Sequence, residues 1–331
     1  MKIIIDAMGG DNAPGEIVKG ALAAAASHPE LEITLVGREA EVRAAMGGQA
    51  PTNVSVVNAT EVIEICDDPA MAFKHKKDSS ITVGLNMLKA GEGDAFVSAG
   101  STGALLSAAT LLVKRVRGIR RAALAPVIPT AGGQAVLIDC GANAECTVEY
   151  LVQFAYLGSF YAKRVLHLDK PRVGLLNIGA EPSKGDTLRQ ETYQALREAG
   201  ERGELNFIGN IEGKEAMKGG CDVIVSDGFS GNIMLKTIEG AASFLGGEIK
   251  KLFLQSAKNK VAGLLVKDSL RQFKEMRNPD RIGGTAFLGI SRPVIKAHGS
   301  SGAAAIENAV YQAEVVASSG FIADVEAHWS V

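Results

Sequence analysis

The chain has 331 residues, of which 47% are apolar and 22% charged, with a formal net charge of −2. That length buries a sizeable core, and the near-neutral charge excludes a general electrostatic affinity for nucleic acid. Four scattered cysteines with no CxxC pair and five dispersed histidines exclude the usual zinc spacings and suit a reducing cytoplasm.

The opening Met-Lys-Ile-Ile-Ile-Asp reads as a strand rather than a signal peptide, so a cytoplasmic protein is expected. No apolar run approaches the roughly 18 residues of a membrane-spanning helix. Strand patterns follow at 2–6, 32–36, 54–57, 95–98, 135–139, 172–177, 206–209, 222–226 and 293–296. Helical patterns lie between them at 14–27, 79–90, 102–113, 147–164, 186–199, 231–255 and 301–318. This alternation predicts an α/β fold, a three-layer αβα arrangement around a mainly parallel sheet. No internal repeat and no Pro/Ser-rich linker divides the chain. A single catalytic domain, 1–331, with two lobes and a cleft is expected. The lobes are placed at about 1–100 plus 280–331, and 101–279.

Several strands end in polar, glycine-rich loops. The first runs into Asp6-Ala-Met-Gly9-Gly10-Asp-Asn12-Ala-Pro14 and the fourth into Ser98-Ala-Gly100-Ser101-Thr102-Gly103. Others end in Asp139-Cys-Gly-Ala-Asn143, in Asn177 to Asp186, in Gly209-Asn210, in Asp227-Gly-Phe-Ser-Gly-Asn232, and in Lys296-Ala-His298-Gly-Ser300-Ser301. One such loop is a tight turn as readily as a binding site. Six or more at strand carboxyl ends are where open α/β sheets hold ligands. Backbone N–H groups and the hydroxyls of Ser98, Ser101 and Thr102 suit a phosphate. None of the loops is a dinucleotide or Walker fingerprint.

These segments, in this order, resemble the bacterial phosphate acyltransferases of phospholipid synthesis, the PlsX family, over essentially the whole chain. The matching stretches are DAMGGDNAP (6–14), SAGSTGA (98–104), DCGAN (139–143), GLLNIG (174–179), FIGNIEG (207–213), DGFSGN (227–232), LKTIEG (235–240) and KAHGSS (296–301). Asn12 stands where the family pattern has His, and Ser101 where it has Asn. The resemblance implies a reaction of acyl-(acyl carrier protein) with inorganic phosphate, giving acyl phosphate and free carrier. It also implies a fold like isocitrate and isopropylmalate dehydrogenases and phosphotransacetylases, a homodimer, and no cofactor or metal.

For phosphate to attack a thioester, the site needs an anion cradle, oxyanion donors and control of protons. The 98–103 loop is the expected cradle, with Lys184 as a mobile charge. Asp6, Gly9, Gly10, Asn12, Asn143, Asp186, Ser300 and Ser301 complete the expected substrate-binding set. Asn210 and Asn232 are candidate oxyanion donors, His298 a candidate proton carrier, and Asp227 a candidate partner for His298 or Lys184. Direct transfer is expected, with Cys140 the alternative nucleophile. For Asp6 and Asp139 the plainer expectation is a bond to backbone N–H groups of their own loops.

Two basic segments remain. Residues 114–121 carry five positive charges in eight positions, among them Arg115, Arg117, Arg120 and Arg121, which read either as cations complementing a helix carboxyl end or as a dock for an acidic carrier protein. Residues 248–277 hold eight basic against three acidic side chains, leaving the rest of the chain near −7. Their apolar members, including Leu254, Val261, Leu264 and Leu265, recur at helical spacing. Such a stretch suits peripheral contact with an anionic membrane, a dimer interface, or both. Membrane contact fits hand-off of acyl phosphate to a membrane glycerol-3-phosphate acyltransferase. The competing readings are a CoA-dependent phosphotransacylase, a metal- and NAD-dependent dehydrogenase of the same fold, and a non-enzymatic acyl- or lipid-binding protein. Asn232 and Lys236 stand where such a dehydrogenase carries metal-binding aspartates.

Overall fold

The computed structural model describes residues 1–48, 51–269 and 283–329. Its strands are β1 (Lys2–Asp6), β2 (Glu32–Gly37), β3 (Val54–Asn58), β4 (Ala95–Ser98), β5 (Ala123–Ala125), β6 (Val127–Thr130), β7 (Gly133–Ile138), β8 (Arg172–Leu176), β9 (Asn206–Ile211), β10 (Val223–Val225), β11 (Thr285–Leu288) and β12 (Val294–Lys296). The helices are α1 (Gly15–Ser27), α2 (Glu39–Met46), α3 (Ala72–His75), α4 (Ser80–Ala90), α5 (Thr102–Ala108), α6 (Val148–Arg164), α7 (Thr187–Glu201), α8 (Gly213–Met217), α9 (Gly228–Leu254), α10 (Ala257–Leu265), α11 (Ala303–Ser318) and α12 (Phe321–Trp329). A π-helical turn, Ala109–Val113, continues α5.

The strands form two sheets rather than one. The first has the order β3-β2-β1-β4-β12-β11-β5, and the second β6-β7-β10-β8-β9. In the first, β3, β2, β1, β4 and β12 are parallel, while β11 runs antiparallel to both β12 and β5. In the second, β7, β10, β8 and β9 are parallel and β6 is antiparallel. The chain passes between sheets at Pro126. Residues 102–125 therefore belong with the first sheet, whereas the sequence reading placed the boundary near 100. The reason is β5, a short strand whose partner β11 lies about 160 residues later, a pairing no local pattern announces.

Period-2 alternation makes the core. Ile3 and Ile5 of β1 face one cluster with Ile17, Ala21, Ile306 and Val310, and Ile4 faces the other with Leu85, Phe96 and Leu105. In the second sheet Val223 and Val225 pack with Phe154 and Leu157, while Ile224 packs with Ile128, Leu137 and Ile211. Helices thus cover both faces of the first sheet. Gly20 lets α1 approach α11 closely: a Cβ there would lie 2.5 Å from the Ala303 carbonyl oxygen.

Candidate active site

The glycine-rich loops gather into two clusters, one at the carboxyl ends of each sheet's parallel strands. In the first, residues 6–14, 98–103 and 296–301 are tied to one another. Asp6 is fully buried, and its carboxylate accepts from Ser98 Oγ at 2.6 Å and from Met8 N–H at 3.1 Å. Burial raises its pKa, opposed by bonds from Ser80, Ser98 and the backbone. Ser98 Oγ also accepts from Gly100 N–H at 3.0 Å. A Cβ on Gly9 would sit 2.3 Å from Asp6 Oδ2 and 2.7 Å from Gly100 N, so only glycine allows this approach. Gly10, at φ +99°, faces the Gly299 carbonyl. Asp11 N–H donates to Gly299 O at 2.8 Å. Asn12 Nδ2 donates to the carbonyls of Ser300 and Ser301 at 3.2 and 3.3 Å. Ser101 caps α5, Thr102 is half-buried beside it, and Gly103 lies against Pro69. His298 is exposed, with Nδ1 2.9 Å from Ser300 Oγ. Ser301 is buried and its N–H donates to His298 O.

The second cluster joins residues 139–146, 177–189, 210 and 227–232. Buried Asp139 accepts from Leu124 N–H, Ala142 N–H, Asn143 N–H and Asn143 Nδ2. Burial nevertheless raises its pKa. The first turn of α9 docks on this loop backbone to backbone. A Cβ on Gly231 would lie 1.9 Å from Asp139 O, and one on Gly228 2.6 Å from Asn143 O. Asn232, exposed at that turn, faces Gly141. Asp227 caps α9 by accepting from Ser230 N–H at 2.8 Å, and Asp186 caps α7 by accepting from Arg189 N–H at 2.9 Å. Arg189 bridges the two caps: Nη1 bonds Asp186 at 2.8 Å, while Nη2 bonds Asp227 and, at 3.1 Å, Ser230 Oγ. Lys184 is exposed, its stem lying over Gly179. Ala144, Glu145, Cys146, Leu188, Arg189, Asp227, Phe229 and Ser230 line a pocket here. Ile178, Phe229 and Ile233 add exposed apolar side chains.

The expected catalytic group is therefore divided. His298 stands in the first cluster, and Lys184, Asp227 and Asn232 in the second. Asp227 takes Arg189 as its partner, not His298 or Lys184. The amide of Asn143 is committed to Asp139 and to the Ala122 carbonyl (2.9 Å), so it organises the loop rather than meeting substrate. Asn210 Nδ2 donates to Glu181 O at 2.8 Å, which leaves its buried Oδ1 as an acceptor, the wrong polarity for an oxyanion donor. Asn12 and Asp186 likewise hold backbone and Arg189. Cys140 is buried, accepted by Leu137 O, and its thiol is pushed far up by burial and by Asp139. Cys146 is pushed up to about 12 for the same reasons. Neither provides a thiolate at neutral pH.

Sequence reasoning missed two cations. Arg189 sits three residues after a helix cap, on a face that reads as solvated. Lys296 ends an apolar strand run, and a lysine in such a run was itself the available signal. His28, Glu30 and Glu314 bring three metal-ligating atoms together outside both clusters.

Of the docking arginines, Arg120 pairs with Glu149 at 2.8 Å, Arg121 lies over the Tyr150 ring, and Arg115 donates to Ile119 O. Among the described residues Arg117 has no such partner. Helix α9 runs 27 residues with only Gly228 and Gly231 buried. Phe244, Leu245, Ile249, Leu252 and Leu254 are exposed along it. Val261, Leu264 and Leu265 are exposed on α10, which packs back on α9 through Gly263 and Phe253. Leu270, Phe273, Met276 and the charges of 270–277 lie outside the described residues. No helix among the described residues is long and apolar enough to cross a membrane.

Two helix-covered sheets with polar loops at their parallel strand ends define an α/β protein. A phosphotransacetylase from Streptococcus pyogenes superposes with a TM-score of 0.63 at 20% identity, covering 96% of this chain and 94% of that one. A 4-hydroxythreonine-4-phosphate dehydrogenase from Klebsiella pneumoniae superposes with a TM-score of 0.55 at 13% identity, covering 96% and 98%. Both likenesses speak to the fold.

Sequence carries the assignment further. The family model described as "Fatty acid synthesis protein" matches residues 1–324. A phosphate acyltransferase from Lactococcus lactis is 46% identical over 314 residues, 94% of this chain and 93% of the relative. One from Thermoanaerobacter pseudethanolicus is 44% identical over 314 residues, 95% and 93%. The chain belongs to this family and is an acyltransferase.

Proposed function

We propose that the protein transfers an acyl group from an acyl carrier protein thioester to inorganic phosphate, releasing acyl phosphate and free carrier for phospholipid synthesis. The observation that carries this reading is the pairing of two unlike loop clusters in a phosphate acyltransferase-family chain. The first is a tight cradle of backbone and hydroxyls, suited to a small anion. The second has cations and an apolar rim of Ile178, Phe229 and Ile233, suited to an acyl thioester. Phosphate oxygen attacks the thioester carbonyl and the carbon–sulfur bond breaks, without an acyl-enzyme. The burial of Cys140 and the raised thiol pKa of Cys146 support that order. His298 hands a proton to the departing thiolate, while Lys184 and Asn232 stabilise the developing negative charge.

The test is to incubate the protein with phosphate and either acyl carrier protein thioester or acyl-CoA, and to follow thiol release and hydroxamate-trapped acyl phosphate. Turnover of the carrier thioester without added metal or NAD supports the reading. Preference for acyl-CoA would move the protein to the phosphotransacylases. Thiol release with no trapped acyl phosphate would overturn it.

The exposed Phe244, Leu245, Ile249, Leu252 and Leu254 of α9 support a homodimer, since most of this 27-residue helix is left uncovered by its contacts with the loops and α10. Leu264 and Leu265, beside Lys258, Lys260 and Lys267, support peripheral contact with anionic lipid, and through it hand-off to a membrane glycerol-3-phosphate acyltransferase. Leu264→Glu with Leu265→Glu abolishes binding to anionic vesicles on this reading. Retained binding would remove the segment as an anchor.

A further inference from the structure

Strand β12 is Val294-Ile295-Lys296, buried throughout in the interior of the first sheet. Lysine is almost never buried without a partner, yet Lys296 is only 8% exposed. Its register neighbour is Ser98, so its ammonium arrives where the loops 6–14, 98–103 and 297–301 meet. Nζ donates to the Ala99 carbonyl at 3.3 Å and to the Ala297 carbonyl. Two of its three donors thus hold the peptide planes that precede Gly100 and His298. Among the described residues no carboxylate lies within ion-pair distance of it. Asp6 from β1 and Asp11 from the following loop act on it through space. Asp6 is taken by Ser98 and Met8, and His298, on the same segment, turns to Ser300.

We propose that Lys296 is a positioning residue for phosphate, fixing the two loops that receive the anion and placing one buried positive charge behind them. This rests on assigning phosphate to the first cluster. A charge shielded from water acts on an anion more strongly than one at the surface. Burial also lowers the Lys296 pKa to about 8, with Asp6 and Asp11 opposing that shift. The sign follows from linkage. A bound dianion favours the ammonium, so above the free-protein value phosphate binding takes up a proton, and phosphate affinity falls as pH rises further.

The experiment titrates the full-length protein with inorganic phosphate alone, by calorimetry at about pH 9 in two buffers of different ionisation heat. Phosphate is already a dianion there, so proton uptake reports a protein group. The wild type takes up a proton, and Lys296→Met does not. Near neutral pH, Lys296→Met raises the phosphate KM about tenfold or more and changes the acyl-donor KM within about twofold. A merely structural role would move both constants together.

Absence of proton uptake in the wild type, or uptake retained in Lys296→Met, overturns the proposal. Should Lys296→Met fail to fold in a thermal melt, the wild-type titration decides alone. A wild type that binds phosphate with Lys296-dependent uptake but forms no acyl phosphate would sink the functional reading and leave this inference standing. Failure of the wild type to bind phosphate would overturn the inference.

Discussion

The two loop clusters share a topology and differ in chemistry. At the first, carboxylate, amide and ammonium are spent on the loops themselves: Asp6 on the Ser98 hydroxyl and Met8 N–H, Asn12 on the Ser300 and Ser301 carbonyls, Lys296 on the Ala99 and Ala297 carbonyls. At the second, Asp139 and Asn143 tie the loop to backbone in the same way, but Arg189 adds a side-chain bridge between the caps of α7 and α9, and Lys184 is left exposed. Backbone tied by buried groups gives loops of fixed shape, which suit a small rigid anion. The exposed Lys184 and the exposed apolar rim of Ile178, Phe229 and Ile233 can adapt, which suits a long thioester carried on a protein. The difference supports the proposed division of substrates: the turns are alike in both clusters, and the partners of their polar atoms separate them.

The comparison breaks most severely where backbone meets backbone. Gly231→Ala forces a Cβ into the Asp139 carbonyl, which unseats α9 from its loop. Denaturation should show a loss of about 3 kcal/mol or more. Gly213→Ala, in open space on α8, is the control and should stay near wild type. A stable Gly231→Ala protein would mean the second cluster is as pliable in its backbone as in its side chains.

His298→Ala tests whether the first cluster takes part in chemistry or only in binding. Single-turnover acyl phosphate formation should slow by about 100-fold or more, with phosphate binding nearly preserved. A normal rate would take the histidine out of the reaction.

Arg189→Lys asks whether the bridge needs the planar fork of guanidinium. An ammonium lacks the two spaced nitrogens that reach Asp186 on one side and Asp227 with Ser230 on the other, so the KM for the thioester should rise about tenfold. The phosphate KM should stay near wild type. Equal changes in both would show that the clusters do not divide the substrates.

The smallest effect is expected away from both clusters. Arg117→Glu with Arg121→Glu should weaken use of acyl carrier protein a few-fold, mainly through the on-rate and most at low salt, and spare small thioesters. Losses of the same size on both donors would end the docking idea.

Much of this molecule is legible in one dimension. All nine expected strands and all seven expected helices are present, because each repeats its apolar pattern over several residues, and five of those helices start at a capping side chain. The strands that escaped, β5, β6 and β11, are three or four residues long and antiparallel to partners. The loop motifs pointed to both clusters. Which atoms were available for ligand was not readable. Asn143, Asn12 and Asp186 look like substrate ligands in sequence and prove to be ties within the loops, whereas Arg189 and Lys296 look like a surface charge and a strand end.

The sequence by itself determined the α/β class, the family and the positions of the polar turns, because periodicity, glycine and capping chemistry act over neighbouring residues. Tertiary structure decided that there are two sheets, that the chain changes sheet at Pro126, and that the expected catalytic residues divide between two clusters. It also decided that Lys296 is buried and that Arg189 binds two caps. Those outcomes depend on contacts between segments up to 289 residues apart, where desolvation and the competition for each hydrogen-bonding atom are settled only once the chain has packed.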